Sequence, residues 1–212
     1  MHKLHFLFLC SRKLKYSFAI YCILMCNIVN AQYVTISDNS FLNWLINSSV
    51  SGCFNTQFQL DTNCSALLNE TTVICSYNNI INLDGIQYFK NLHYLDCSDN
   101  IIDSIFLLPP SLTSFNCAGN DSLSFISSIP PKLRFLDCSG NRLVVLPTLS
   151  DSLITLHCGA NLLTALPPLP AHLDTLDCAG NMISTLPAFP ASLHVLTCFQ
   201  NQLTTLSYGI SL

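Results

Sequence analysis

Leucine-like residues recur along most of this chain with a period of about twenty residues. The stretch from Leu153 to Pro170 reads LITLHCGANLLTALPPLP, and it returns with small changes before and after that point. Seven cysteines mark the period at intervals of 20 to 22 residues, and an asparagine follows each of them by three. These ladder cysteines are Cys75, Cys97, Cys117, Cys138, Cys158, Cys178 and Cys198, and the ladder asparagines are Asn78, Asn100, Asn120, Asn141, Asn161, Asn181 and Asn201. Such a period predicts a solenoid of stacked coils.

Each coil begins with the pattern L-x-x-L-x-C, as in Leu133 to Cys138. The second leucine and the cysteine are two residues apart, so both point into the core of a short strand and the residue between them points out. Stacking the coils pairs these strands into a parallel sheet on the concave face. The ladder asparagine then turns the chain, and its amide can bond the backbone of neighbouring coils.

The segment that returns the chain to the next strand, here called the return segment, is short and rich in proline, as in Leu166 to Pro170. A period of twenty residues leaves no room for a full helix there, and proline favours an extended backbone. We therefore expect a polyproline-like or irregular convex side. As an alternative, these prolines could form a recognition motif for an SH3-type partner. Their recurrence in phase with the repeat favours the structural role.

Three regions are predicted. Residues 1–31 contain a basic start and an apolar run of about fourteen residues, which indicates a signal peptide cleaved before Gln32. The run is short for a membrane span of about twenty residues, so an uncleaved anchor is the alternative, and a start after the first twelve residues is another. Residues 32–72 do not repeat and predict an N-terminal cap with a short helix from Asp38 or Ser40 to Asn47. Residues 73–212 are about seven repeats, the last incomplete.

Cysteine usage separates into two kinds. The seven ladder cysteines occupy an inward core position, where free cysteine packs as a small hydrophobic residue. Burial makes such thiols inert. Cys53 and Cys64 stand outside the repeats and close a polar loop in the cap. They are a possible disulfide, and the sequence leaves open whether they are bonded.

Charge argues against one class of partner. After residue 32 the chain has four basic side chains, Lys90, Lys132, Arg134 and Arg142, against twelve acidic ones, a formal charge of about −8. A surface this negative repels phosphate backbones, so no nucleic-acid partner is expected. A membrane contact is expected only through the N-terminal segment, if that segment is uncleaved.

The repeat pattern resembles the leucine-rich repeat. The cap and first coil are similar to those of secreted leucine-rich repeat proteins from bacteria with type IX export, through Ile36-Ser-Asp38, Phe41, Leu45, Leu60 to Cys64 and Leu83 to Phe89. The later repeats are also similar to the 20-residue repeats of type III effectors, through Leu166-Pro-Pro-Leu-Pro-Ala-His-Leu173. The first resemblance implies a secreted or cell-surface protein, often with a C-terminal sorting domain, which this sequence does not show. The effectors of the second resemblance can carry a separate ubiquitin-ligase domain, which this sequence does not show, so that activity is not expected here.

Function is expected on the outward strand positions. The residues between leucine and cysteine form the concave row: Asp96, Asn116, Asp137, His157, Asp177 and Thr197. Beside it runs a second row that contains Tyr94 and Phe135, with Arg134 next to it. Aromatic and arginine residues dominate binding hot spots, so these are candidate anchors for a ligand. A cation shared by Asp137, His157 and Asp177 is an alternative, but a solvated polar ladder is favoured and no metal is assigned.

Catalysis finds no support in the sequence. The histidines have no consistent nucleophile partner, and there is no glycine-rich phosphate loop or zinc-binding cysteine pair. We therefore expect a non-enzymatic module, without cofactors, that binds a protein or a glycan on its concave sheet outside the cell. A structural or adhesive surface component without one specific ligand is the alternative.

Overall fold

The structure is a computed structural model that describes residues 32–206 and 210–211. The predicted signal segment, 1–31, lies outside the described residues. In the part that is described, no helix is long and apolar enough to cross a membrane.

The cap is built from two short helices and a two-stranded ribbon. Strand β1 (Tyr33–Val34) pairs antiparallel with β2 (Leu60–Asp61). Helix α1 (Asn39–Ile46) begins after Asp38, whose carboxylate accepts from Phe41 N at 2.6 Å and so satisfies a free donor of the first turn. A 3-10 turn (Ser51–Cys53) and helix α2 (Ser65–Asn69) follow. The helix predicted from Asp38 is confirmed, and Phe41 and Leu45 on its inner face are fully buried against the first coil.

A disulfide connects the 3-10 turn of the cap to the start of helix α2. Cys53 and Cys64 are bonded, with their Cα atoms 5.5 Å apart. Cys53 ends the 3-10 turn and Cys64 precedes α2, so the bridge links the loop to the segment that enters the first repeat. The free cysteines of the described residues are the seven ladder cysteines.

Seven parallel strands form the concave sheet. Their order along the sheet follows their order along the chain. Adjacent strands are paired in register, so the equivalent inward residues lie side by side in one row: Leu95, Phe115, Leu136, Leu156, Leu176 and Leu196. The strands are β3 (Thr72–Ile74), β4 (Tyr94–Asp96), β6 (Ser114–Asn116), β8 (Phe135–Asp137), β9 (Thr155–His157), β10 (Thr175–Asp177) and β11 (Val195–Thr197). The predicted solenoid with a parallel concave sheet is confirmed, and the structure has about six turns.

The ladder asparagines link each coil to its neighbour through the side-chain amide. Asn161 Nδ2 donates to Cys158 O of its own coil and to Cys138 O of the preceding coil, at 3.2 and 2.9 Å. Its Oδ1 accepts from Leu143 N at 2.9 Å. Asn181 repeats this geometry one coil later. The structural role expected of these residues is confirmed, because they supply partners for backbone groups buried at the turn.

The convex side is irregular along most of its length, with one addition. In the first coil the return segment contains a 3-10 turn (Ile86–Tyr88). In the next two coils β5 (Ser104–Ile105) and β7 (Phe125–Ile126) pair in parallel, where the sequence predicts only polyproline-like or irregular chain. Three of these four strand positions hold isoleucine or phenylalanine and none holds proline, so the backbone donors of a ladder are available. A last antiparallel ribbon joins β12 (Thr205–Leu206) and β13 (Ile210–Ser211).

Candidate functional site

The structure places the predicted residues that belong to strands on one face of the sheet. Register pairs Asp96 with Asn116, Asn116 with Asp137, Asp137 with His157 and His157 with Asp177. Tyr94 and Phe135 belong to the same strands two positions earlier, and exposed Arg134 immediately precedes β8. With strands about 4.8 Å apart, the concave row spans several coils as one polar line. The role of these residues in binding stays a prediction.

Most side chains of the concave row also hold their own turn. Asp137 Oδ1 accepts from Ser139 N at 3.0 Å and from Ser139 Oγ at 2.6 Å. Asp96 makes the same two bonds to Ser98, while Asn116 and Asp177 accept from the backbone two residues on. This side-chain-to-backbone turn is a local alternative to a ladder bond. These residues were predicted to be free for a ligand, although the recurrence of Asp or Asn before the cysteine is the sequence signal of the turn.

His157 is the member of this row around which a mixed cluster forms. Its Nδ1 is 3.6 Å from Asp137 Oδ2, and its ring meets the ring of Phe135 edge-on with centroids 5.6 Å apart. The three side chains therefore combine an aromatic surface, a carboxylate and a titratable ring. Within residues 32–206, no group of three or more histidine, cysteine, aspartate or glutamate side chains is arranged to hold a metal.

Two tyrosines lie near the N-terminal end of the sheet, Tyr94 in β4 and Tyr77 in the turn that follows β3. Partial burial, and then the charge of nearby Asp96, raise the pKa of Tyr94. A hydrogen bond to Asp99, followed by the charge of the same carboxylate, raises the pKa of Tyr77. Tyr77 is 77 % exposed and was not among the predicted residues. Its position two residues after Cys75 is the signal that could have found it.

The position two residues after each ladder cysteine has a left-handed backbone throughout the described coils. Asp99, Ala160 and Gln200 adopt it at φ of 53, 50 and 54° although they are not glycine. A β-carbon on Gly119 (φ +65°) would lie 2.7 Å from Asp99 Oδ1, so the carboxylate of one coil occupies the space that glycine leaves in the next. This column of left-handed residues was not predicted, although three glycines mark it in the sequence.

The ladder thiols are chemically quiet. Burial, with a smaller effect of the Asp96 charge, raises the pKa of Cys75 to about 12. Burial, followed by the Cys198 thiol and the Asp177 charge, raises the pKa of Cys178 to about 12. Burial and then the two neighbouring ladder thiols hold the pKa of Cys158 well above its usual value. A thiol that stays protonated is neither a good nucleophile nor a good metal ligand. These groups therefore serve packing.

Solved structures of bacterial leucine-rich repeat proteins are similar to this chain. YopM from Yersinia enterocolitica WA-314 matches with 31 % identity and a TM-score of 0.61 over 66 % of this chain and 30 % of that one. A Shigella effector leucine-rich repeat domain matches with 24 % identity and a TM-score of 0.63 over 81 % of this chain and 76 % of that one. The functional domain of InlJ from Listeria monocytogenes, which includes a cysteine ladder, matches with 25 % identity and a TM-score of 0.56 over 68 % of this chain and 38 % of that one.

These similarities show the class of fold. The chain has a leucine-rich repeat fold like that of bacterial effectors and surface proteins, and repeats of this kind are generally protein-binding modules. It spans about a third of the length of the YopM and InlJ chains that it matches. No protein-family model and no curated protein sequence matches the chain. A link to type IX export stays a prediction.

Proposed function

We propose that this chain is an exported, non-enzymatic binding module that recognises a protein or a glycan with its concave sheet. The observation that carries the proposal is the cluster of Phe135, His157 and Asp137 at the middle of the sheet. An aromatic edge beside a carboxylate and an imidazole offers both apolar contact and hydrogen bonding, which is the mixture found at binding hot spots. Tyr94 and Arg134 extend this surface.

The geometry favours a ligand that spans several coils. Each outward position has an equivalent on the next strand, about 4.8 Å away, so a ligand that lies across the strands can contact several coils at once. The carboxylates and amides are already oriented by their own turns, which lowers the ordering cost of binding. A structural role without one ligand is the alternative, and it requires no particular side chain at Phe135.

A photo-cross-linking amino acid at position 135 tests the proposal. Cross-linked species are identified by mass spectrometry, which separates protein from glycan ligands. The matched control carries the same group at Val145, which is exposed on the convex side. One dominant species captured at 135 and absent at 145 is expected.

The captured ligand then allows affinity to be measured. Phe135→Ala and Asp137→Ala are expected to cost at least about 2 kcal/mol if these residues are hot spots, and Val145→Ala should cost nothing measurable. Equal binding by all three variants would refute the concave site and favour the structural alternative.

Export is supported by the basic start and apolar run before Gln32. The expected mature N-terminus is Gln32, as read by N-terminal sequencing of protein recovered outside the cell. Material that keeps residues 13–31 would instead indicate an anchor.

A further inference from the structure

A groove on the convex side lies between the return segments of the first two coils. Residues 81–84 form one wall and residues 103–107 form the other. The first wall leads into the 3-10 turn Ile86–Tyr88, whereas the second contains strand β5. The two return segments differ in backbone conformation, so β5 has no strand partner on this side.

The edge of β5 that faces the groove is open. Asp103 O accepts from Ser124 N and Ile105 O accepts from Ser127 N, at 3.0 and 2.9 Å, so both residues direct their backbone toward β7. Backbone groups alternate along a strand, and Ser104 therefore directs its N–H and C=O away from β7. Strand β5 pairs with β7 alone. An unpaired edge of this kind is a template for another strand.

The opposite wall is held in place by the cap. Asp38 Oδ2 accepts from Ile81 N at 2.7 Å and from Asn82 N at 3.2 Å. Ser37 Oγ lies within hydrogen-bond distance of Asn82 Oδ1 and Asp84 Oδ2, at 3.2 and 3.4 Å. These bonds tie the wall to the start of α1, so the groove is preformed.

The side chains around the groove define the chemistry of an occupant. Ile81, Phe106 and Leu107 are 51, 58 and 62 % exposed, which is unusual for large apolar residues that are neighbours. Asp84 and Asp103 add two carboxylates, and none of the lining residues is basic. An apolar segment that carries a lysine or arginine is complementary to this lining.

We propose that β5 binds an extended segment of a partner protein as a third strand, with apolar side chains against Phe106 and Leu107 and a cationic side chain near Asp84 and Asp103. Main-chain hydrogen bonds to Ser104 supply affinity in this mode, and the alternate side chains supply specificity. The site is on the opposite side of the coil from the concave sheet, and it is independent of the function proposed for that sheet.

A defined peptide tests the site on the full-length chain. The probe is a fluorescein-labelled hexapeptide, VKVTVT, and the matched peptide is VEVTVT, with binding measured by fluorescence anisotropy. We expect the lysine peptide to bind at least about tenfold more tightly, because the groove carries like charge to the glutamate. The preference should shrink as salt rises from low to about 0.5 M.

Matched variants separate backbone pairing from other contacts. Ser104→Pro removes the outward N–H at an edge position where proline is tolerated, and it should weaken binding about tenfold or more. Ser104→Ala keeps the N–H and should bind normally. Phe106→Ser should weaken binding by a similar factor, whereas Val145→Ser, on the same convex side but outside the groove, should not.

Two further peptides test the pairing without any change to the protein. Each is VKVTVT with the backbone amides of one of its two edges N-methylated. The form that is methylated on the edge that pairs with β5 should not bind, and the other form should bind like the parent. The proposal is overturned if VKVTVT does not bind, if both N-methylated forms bind like the parent, or if Ser104→Pro binds normally. It is also overturned if light scattering shows a dimer that Ser104→Pro dissociates, since a second copy would then occupy the edge.

Discussion

Two coils of this molecule share one sequence pattern but have different environments. The middle coil begins at Leu153 and the last complete strand belongs to a coil that begins at Leu193. Leu156 and Cys158 of the middle coil are fully buried, whereas Leu196 and Cys198 are only half-buried in the described residues. Within the described residues a coil packs before each of them, but another strand of the concave sheet is stacked after the middle coil only.

The hydrogen bonds of the two coils do not differ in the same way. Asn201 Nδ2 donates to Cys178 O at 2.9 Å and to Cys198 O at 3.0 Å, as Asn161 does to the equivalent carbonyls. The shape of a coil is therefore local, while its exclusion from water depends on the neighbours. Pairs of equivalent substitutions in the two coils measure that difference.

The largest expected effect is at the ladder asparagines. Asn161→Ala leaves several buried backbone groups without partners, at about 1–3 kcal/mol each, so we expect a loss on the order of 5 kcal/mol in the free energy of unfolding. Asn201→Ala should cost no more than about 2 kcal/mol, because water can reach its half-buried partners. Urea unfolding measures both, and equal losses would contradict the role of burial.

Truncation of an inward leucine should also cost more stability in the middle coil than in the last one, and both losses should be smaller than that of Asn161→Ala. Leu156→Ala removes a fully buried side chain and should cost about 2–5 kcal/mol. Leu196→Ala should cost about 1 kcal/mol, since part of that side chain already contacts water. Thermal unfolding of the two variants provides the comparison. An unchanged stability for Leu156→Ala would mean that its inward assignment is wrong.

The smallest expected difference between the two coils is in the rate at which their cysteines react with an alkylating reagent. Burial raises the pKa of Cys198, but Cys198 is more exposed than Cys158, whose pKa is raised further by neighbouring thiols as well. Iodoacetamide at pH 8 under native conditions should therefore modify Cys198 first, as read by mass spectrometry of the peptides. Rapid labelling of Cys158 would contradict a buried ladder.

The same thiols predict a loss of stability in alkali. Folding raises the pKa of Cys75 and Cys178 from 9.0 to about 12. The unfolded chain therefore releases these protons first, and stability that is complete below pH 9 falls as pH rises toward 12. Substitution of Cys178 by alanine should flatten this part of the pH profile, apart from its cavity cost.

Much of the fold could be predicted because the repeat presents the same evidence seven times. The inward leucine and cysteine, the asparagine turn and the helix after Asp38 follow from side-chain period and capping chemistry. The candidate residues of the concave row were placed correctly on one face by the same alternation. Their bonds to Ser98 and Ser139 were missed, because the pattern indicates which way a side chain points but not which backbone group it meets.

The convex groove could not be predicted from the sequence at all. Ser104 and Phe125 lie in different coils, and their strands pair only because the stacked coils bring those segments together. The open edge of β5 in turn depends on the 3-10 turn of the preceding coil and on the bonds from Asp38. A single repeat contains none of this information.

The periodic core of this protein follows from its sequence alone, because each inward residue and each ladder asparagine acts through local geometry that recurs in every coil. Three properties depend on how the coils stack: which equivalent residues are shielded from water, which strand edge stays open, and how Phe135, Asp137 and His157 meet. Those properties arise between coils, where distances depend on stacking and not on separation along the chain.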